Sequence, residues 1–132
     1  MPEIKNPHIL LIEDDEMLAA MYQDRLGEEG YKVTVAGDGE EALEKVSVKP
    51  DLVLLDIMLP KLNGFEVLKK LKEGQNTRHI PVIILTNLGS KNANEDRNLA
   101  LALGATDYLV KSFHLPNEVV DKIKVILHRQ HA

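Results

Sequence analysis

The stretch Asp51-Leu52-Val53-Leu54-Leu55-Asp56 sets four uninterrupted apolar residues between two aspartates, and Ile57, Met58, Leu59 and Pro60 follow it. A run this short and continuous reads as a central strand buried on both faces. Asp56 then stands at the C-terminal edge of that strand, where ligands and chemistry collect in open α/β sheets.

Two other runs have the same character. His8-Ile9-Leu10-Leu11-Ile12 leads into Glu13-Asp14-Asp15, and Pro81-Val82-Ile83-Ile84-Leu85-Thr86 ends in a hydroxyl. Val33 to Ala36 is a shorter strand, and Ala105 to Val110 is a fifth, with Lys111 at its end. Helices fill the gaps. Asp15 is placed to cap the first, which carries Leu18, Met21, Tyr22 and Leu26 at helical spacing and stops at Gly30. Ala42, Leu43 and Val46 mark a second, ended by Lys49-Pro50. Phe65, Leu68 and Leu71 mark a third, ending near Gly74. Asn87 to Asn94 is a loop or a frayed helix start. Leu99 to Leu103 forms a helix closed by Gly104, its leucines read first as core packing and second as an exposed partner surface. Val119, Val120, Ile123, Ile126 and Leu127 give the last helix one apolar face. Five alternations of continuous apolar strand and helix imply an α/β fold with a parallel sheet and helices on both faces.

The composition agrees with one such domain. The chain has 132 residues, 44% of them hydrophobic, with five Tyr and Phe residues and no Trp, so the core is aliphatic. A net charge of −5 argues against a direct electrostatic nucleic-acid binder. The absence of Cys removes disulfides, thiolate metal sites and a Cys nucleophile. No apolar run approaches a membrane span, and the polar Met1 to Asn6 has no signal-peptide core. The expectation is a single cytoplasmic domain over residues 1–132, with no membrane contact and no second domain.

Parallel strands bring their C-terminal ends side by side. Glu13 and Asp14, Asp56, Thr86 and Lys111 thus converge on one edge. Clustered carboxylates repel one another unless a cation sits between them. Hard oxygen ligands without His or Cys favour Mg²⁺, which accepts one or two carboxylates together with phosphate oxygens. Asp56 can then act as a nucleophile toward phosphorus, with the cation and Lys111 neutralising charge and the Thr86 hydroxyl donating to a phosphoryl oxygen. Each element alone is weak, since an acidic triplet is usually a solvated helix start and a lone Lys or Thr after a strand is uninformative. Their joint order at four strand ends carries the reading. Among the five histidines, only His128 and His131 are near in sequence, and they read as a solvated helix end.

These segments, with Asn63-Gly64 and Gly104-Ala105, resemble the receiver domain of two-component response regulators, in a form like the single-domain chemotaxis regulators, over essentially the whole chain. The resemblance implies a flavodoxin-like, doubly wound sheet of order 2-1-3-4-5. It implies that Asp56 accepts a phosphoryl group from a histidine kinase or histidine phosphotransfer protein with Mg²⁺. Glu13 and Asp14 match the acidic pair, Asp14 being the direct ligand, and Met58 lends its backbone carbonyl to the metal. Thr86 and Tyr108 match the hydroxyl and aromatic switch positions, and Lys111 the phosphoryl contact. Phosphorylation would shift an equilibrium of the face formed by the fourth helix, fifth strand and fifth helix toward a downstream protein, and the resemblance also allows a phosphorylation-dependent dimer. Such a chain is a signalling domain rather than an enzyme, limited to self-catalysed phosphotransfer and slow dephosphorylation.

Four residues are expected to tune kinetics. Ser112 replaces the proline that usually follows the lysine, so the Lys111–Ser112 bond is expected to be trans, because a cis bond to a non-proline residue costs about 2.5–4 kcal/mol. Asn87 stands where a small residue is usual and is expected to slow reaction with small phosphodonors. Met58 and Leu88 are apolar and cannot orient an attacking water, so a long-lived phosphoryl group is expected. Two other readings compete. A Mg²⁺-dependent phosphohydrolase of the haloacid dehalogenase type also uses a strand-end Asp, but Met58 occupies the place of its second Asp. A receiver-like binding module that is never phosphorylated would not need Asp56, Thr86 and Lys111 together.

Overall fold

The computed structural model describes residues 6–57, 59, 62–86, 93–110 and 116–131. The elements are β1 (His8–Ile12), α1 (Glu16–Glu28), β2 (Lys32–Ala36), α2 (Gly39–Lys45), a 3-10 turn (Val46–Val48), β3 (Leu52–Asp56), α3 (Gly64–Glu73), β4 (Val82–Thr86), α4 (Ala93–Ala102), β5 (Asp107–Val110) and α5 (Pro116–His131). The five strands form one sheet in the order β2-β1-β3-β4-β5, and every neighbouring pair is parallel. This is the expected flavodoxin-like topology.

The continuous apolar runs are explained by what lies on each side. Leu10, Ile12, Val53, Leu55, Val82 and Ile84 face a cluster that includes Ala42, Val67, Leu68, Leu71 and Ala100 from α2, α3 and α4. Ile9, Leu11, Leu52, Leu54, Ile83 and Leu85 face the other way, onto Ala19, Tyr22 and Leu26 of α1 and the buried stripe of α5. Successive strand residues point to opposite faces, so covering both faces demands an apolar residue at every position. Each fully buried Leu, Ile or Val contributes about 1.5–3 kcal/mol. β3 and β4 are buried along their whole length, which makes them the rigid axis that ends at Asp56 and Thr86.

Several local expectations need correction. Met21 is 44% exposed, and Ala19 takes the inward position beside Tyr22 and Leu26. Leu99 and Leu101 are exposed, while Ala100 between them is buried and Leu103 packs against the core, so the core-packing reading fails for Leu99 and Leu101 and holds for Leu103. On a helix only one residue of an adjacent trio faces the sheet, and the small Ala100 occupies that place. The helical stretch does end before Pro50 as expected: after the 3-10 turn Lys49 takes the left-handed conformation (φ 57°, ψ 61°), and the chain turns into β3. α1 and α4 close alike. Gly30 (φ 89°) and Gly104 (φ 107°) take the left-handed turn, and the next residues, Tyr31 and Ala105, donate back to Leu26 and Ala100 at 3.1 and 2.9 Å.

Candidate functional site

The C-terminal edge of the sheet collects polar groups that the core cannot hold elsewhere. Glu13, Asp56 and Thr86 are 4%, 6% and 1% exposed and are the buried polar or charged side chains among the described residues. Glu13 continues the β1 ladder, its N–H donating to Ala36 at 2.9 Å. Asp56 is the last residue of β3 and pairs with Leu85, one residue before Thr86 on β4. Parallel register therefore sets both chemistries at one level.

One carboxylate oxygen from each of Glu13, Asp14 and Asp56 lies within 4.8 Å of the other two, the one group of this kind found among the described residues. Asp14 is exposed and the other two are buried, so the cluster opens to solvent on the Asp14 side. Hard oxygens at this spacing suit a small divalent cation with water in its remaining positions. The third acid has a separate task. Asp15 caps α1, accepting the Leu18 N–H at 3.1 Å, and its own N–H donates to Glu13 Oε2 at 3.3 Å. The positive end of α1 thus begins beside the acids.

Tyr108 is buried, with the Thr86 hydroxyl near its phenol. Burial first, and the charge of Asp96 second, raise its phenol above the ordinary value, while the neighbouring Thr86 hydroxyl opposes them. Tyr22 lies against the same site from α1. Burial and then the Glu13 charge raise its phenol as well.

The loop after Asp56 is closed by Gly64, whose N–H donates to the Ile57 carbonyl at 3.0 Å. A β-carbon at position 64 would stand 2.5 Å from Ile57 Cα and 2.8 Å from the Asp56 carbonyl oxygen. Only glycine fits there. Asn63 caps α3 by accepting the Glu66 N–H at 3.0 Å, so Asn63-Gly64 combines a helix cap with a close backbone crossing. The steric demand at Gly64 and the charge of Asp96 near Tyr108 were not visible in the sequence, because neither follows from spacing along the chain.

Glu13, Asp14, Asp56, Thr86 and Tyr108 are thus brought together. Met58, Asn87, Leu88, Lys111 and Ser112 lie outside the described residues, and so does the Lys111–Ser112 bond. A cavity of about 540 Å³ lined by residues including Lys49, Asp51 and His79 sits at the opposite edge, before β3 and β4, and contributes nothing to this cluster. No helix among the described residues is long and apolar enough to cross a membrane.

Comparison with known proteins agrees with the geometry. The family model of the response regulator receiver domain matches residues 9–124. The alkaline phosphatase synthesis transcriptional regulatory protein PhoP of Bacillus subtilis is 45% identical over 125 residues, covering 94% of this chain and 50% of its own length. The transcriptional regulatory protein CpxR of Escherichia coli K12 is 46% identical over 123 residues, covering 93% and 50%. The chain therefore spans about half the length of these curated relatives. The solved receiver domain of the Francisella response regulator 1452 superposes with a TM-score of 0.84 at 35% identity, covering 95% of this chain and 99% of that one. With its parallel 2-1-3-4-5 sheet and its acids gathered at the strand ends, the chain belongs to the response regulator receiver domains, the phosphoacceptor signalling domains of two-component systems.

Proposed function

We propose that Asp56 accepts a phosphoryl group from a phosphohistidine on a histidine kinase or histidine phosphotransfer protein. The observation that carries this is the convergence of Glu13, Asp14 and Asp56 within 4.8 Å at the end of the central strand. An Asp56 carboxylate oxygen forms the bond to phosphorus, the phosphorus–nitrogen bond to the donor imidazole breaks, and the imidazole leaves with that electron pair. Asp14 and Asp56, with Glu13 behind them and the Met58 carbonyl, would hold Mg²⁺. The ion supplies charge neutralisation for the phosphoryl oxygens. Lys111 contacts the same oxygens, and Thr86 donates its hydroxyl to one of them. The transfer is self-catalysed: the chain's own groups orient a small or protein-bound donor.

The output is conformational. Thr86 turns its hydroxyl to the phosphoryl group, and the neighbouring Tyr108 and its surroundings on α4, β5 and α5 respond. A downstream protein, or a second phosphorylated copy, reads that face in the cytoplasm. The domain covers residues 1–132 and itself makes no direct nucleic-acid contact. Met58 and Leu88 leave the phosphoryl group long-lived, and Asn87 and Ser112 modify access and loop shape. The hydrolase reading is not favoured, since Met58 stands in place of its second acid. Steady release of phosphate over many turnovers from a phosphomonoester would contradict the proposal. Stoichiometric transfer from a phosphohistidine protein, abolished by Asp56→Asn, supports it.

A further inference from the structure

Two residues that follow Asp56, Gly64 and Leu62, are held in place. Gly64 donates its N–H to the Ile57 carbonyl at 3.0 Å. Leu62 stands against Gly39, the first residue of α2. A β-carbon there would meet the Leu62 carbonyl oxygen at 2.6 Å, Leu62 Cβ at 2.8 Å and Val67 Cγ2 at 2.9 Å. Gly39 is not among the residues with positive φ, so the position demands space rather than an unusual backbone conformation.

The partner of this contact cannot yield easily. α2 is anchored on its own side of the sheet. Asp38 caps it, accepting the Glu41 N–H at 2.8 Å, and Lys45 reaches both Glu41 at 2.7 Å and the β2 carbonyl of Val35 at 2.7 Å. The nearest atom on the other side is a backbone oxygen of the loop, which has no rotamer to change. Val67 Cγ2, by contrast, can move by a side-chain adjustment. A carbon added at position 39 therefore displaces the Leu62 backbone before it disturbs the core.

We infer that Gly39 is a positioning residue for the phosphoryl-accepting site: its bare Cα lets α2 act as a backstop that fixes where Leu62 stands after the Asp56 strand. The inference rests on the reading of Asp56 as phosphoacceptor, and it assigns a site role to a residue on a different helix from any of the acids.

The test compares wild type, Gly39→Ala, Val67→Ala and the double variant. Three quantities are followed: thermal unfolding, Mg²⁺ affinity by chemical-shift titration, and the phosphorylation rate with phosphoramidate by intact mass. Gly39→Ala is expected to bind Mg²⁺ and take the phosphoryl group several-fold less well. Val67→Ala loses stability but keeps both. The double variant regains part of the lost stability and neither site property. Wild-type affinity and rate in Gly39→Ala, or recovery of all three properties together in the double variant, would overturn the inference. If Gly39→Ala does not fold, Leu62→Gly removes the seated side chain instead. Reduced Mg²⁺ affinity is then expected, and unchanged affinity overturns the role. A wild-type protein that binds Mg²⁺ but never takes a phosphoryl group contradicts the Asp56 reading instead, and the Mg²⁺ titration still decides the role of Gly39.

Discussion

Tyr108 on β5 and Thr86 on β4 are both buried, and the Thr86 hydroxyl lies close enough to the Tyr108 phenol to oppose the effect of burial on it. The pair links the aromatic residue of one strand to the hydroxyl that stands beside Asp56. Tyr108→Phe keeps the ring and removes the phenol hydroxyl, so it should lower unfolding free energy by about 0.5–1.5 kcal/mol in denaturant titrations. The same variant keeps the Thr86 hydroxyl itself, so phosphorylation by a small donor should persist.

The phenols also predict an alkaline limit. Burial raises Tyr22, Tyr31 and Tyr108 above the ordinary 10.0. The folded chain therefore holds these protons more tightly than the unfolded chain. Their contribution to stability is whole below pH 10 and is lost as pH climbs through the raised values. The chain has no Trp, so phenolate absorbance reports these groups cleanly. It should rise late and together with loss of helical circular dichroism.

On the acid side, His8 gives the opposite dependence. Burial, then the charge of Lys32, lowers its imidazole below 6.5, with Asp51 opposing. The folded state favours neutral His8, whose Nε2 lies 2.6 Å from Thr34 Oγ1. Its contribution is present above pH 6.5 and fades as pH falls through the lowered value. Proton NMR should find the His8 midpoint below 6.5, and His8→Asn should flatten this part of the stability profile.

Gly64→Ala tests the closed loop. The added carbon would stand 2.5 Å from Ile57 Cα, a backbone clash of the overpacking kind that costs about 1–3 kcal/mol. Thermal unfolding checks the loss. A variant as stable as wild type would show that the Asp56 loop moves freely, contrary to its close seat on Gly64.

Much of this architecture was legible in the sequence because burial on both faces leaves a distinctive trace. Leu52 to Leu55 and Val82 to Leu85 had to be strands of a covered parallel sheet, and their ends named Asp56 and Thr86. Helix faces were less legible. Met21 and Ala19 are both compatible with an apolar stripe, and only packing on the sheet decides that Ala19 turns inward. Leu99 and Leu101 mislead for the same reason, since the small Ala100 makes the contact. The left-handed Lys49, the crossing at Gly64 and the closeness of Tyr108 to Asp96 depend on distances between segments far apart or on local turn geometry, which residue type alone does not encode.

The acid cluster predicts coupling between metal and stability. Asp14→Asn removes one charge from three carboxylates within 4.8 Å, so without Mg²⁺ it should match or exceed wild-type stability. Wild type should gain about 1.4 kcal/mol when Mg²⁺ is tenfold above its dissociation constant. The variant should lose that gain, and thermal unfolding with Mg²⁺ or with a chelator measures both.

The most direct measurement is the intact mass of the chain after incubation with phosphoramidate and Mg²⁺, for wild type and Asp56→Asn. Wild type is expected to gain one phosphoryl group, dependent on Mg²⁺, and the variant none. A wild-type chain that stays unmodified, or an equal gain in Asp56→Asn, would rule out Asp56 as the phosphoacceptor.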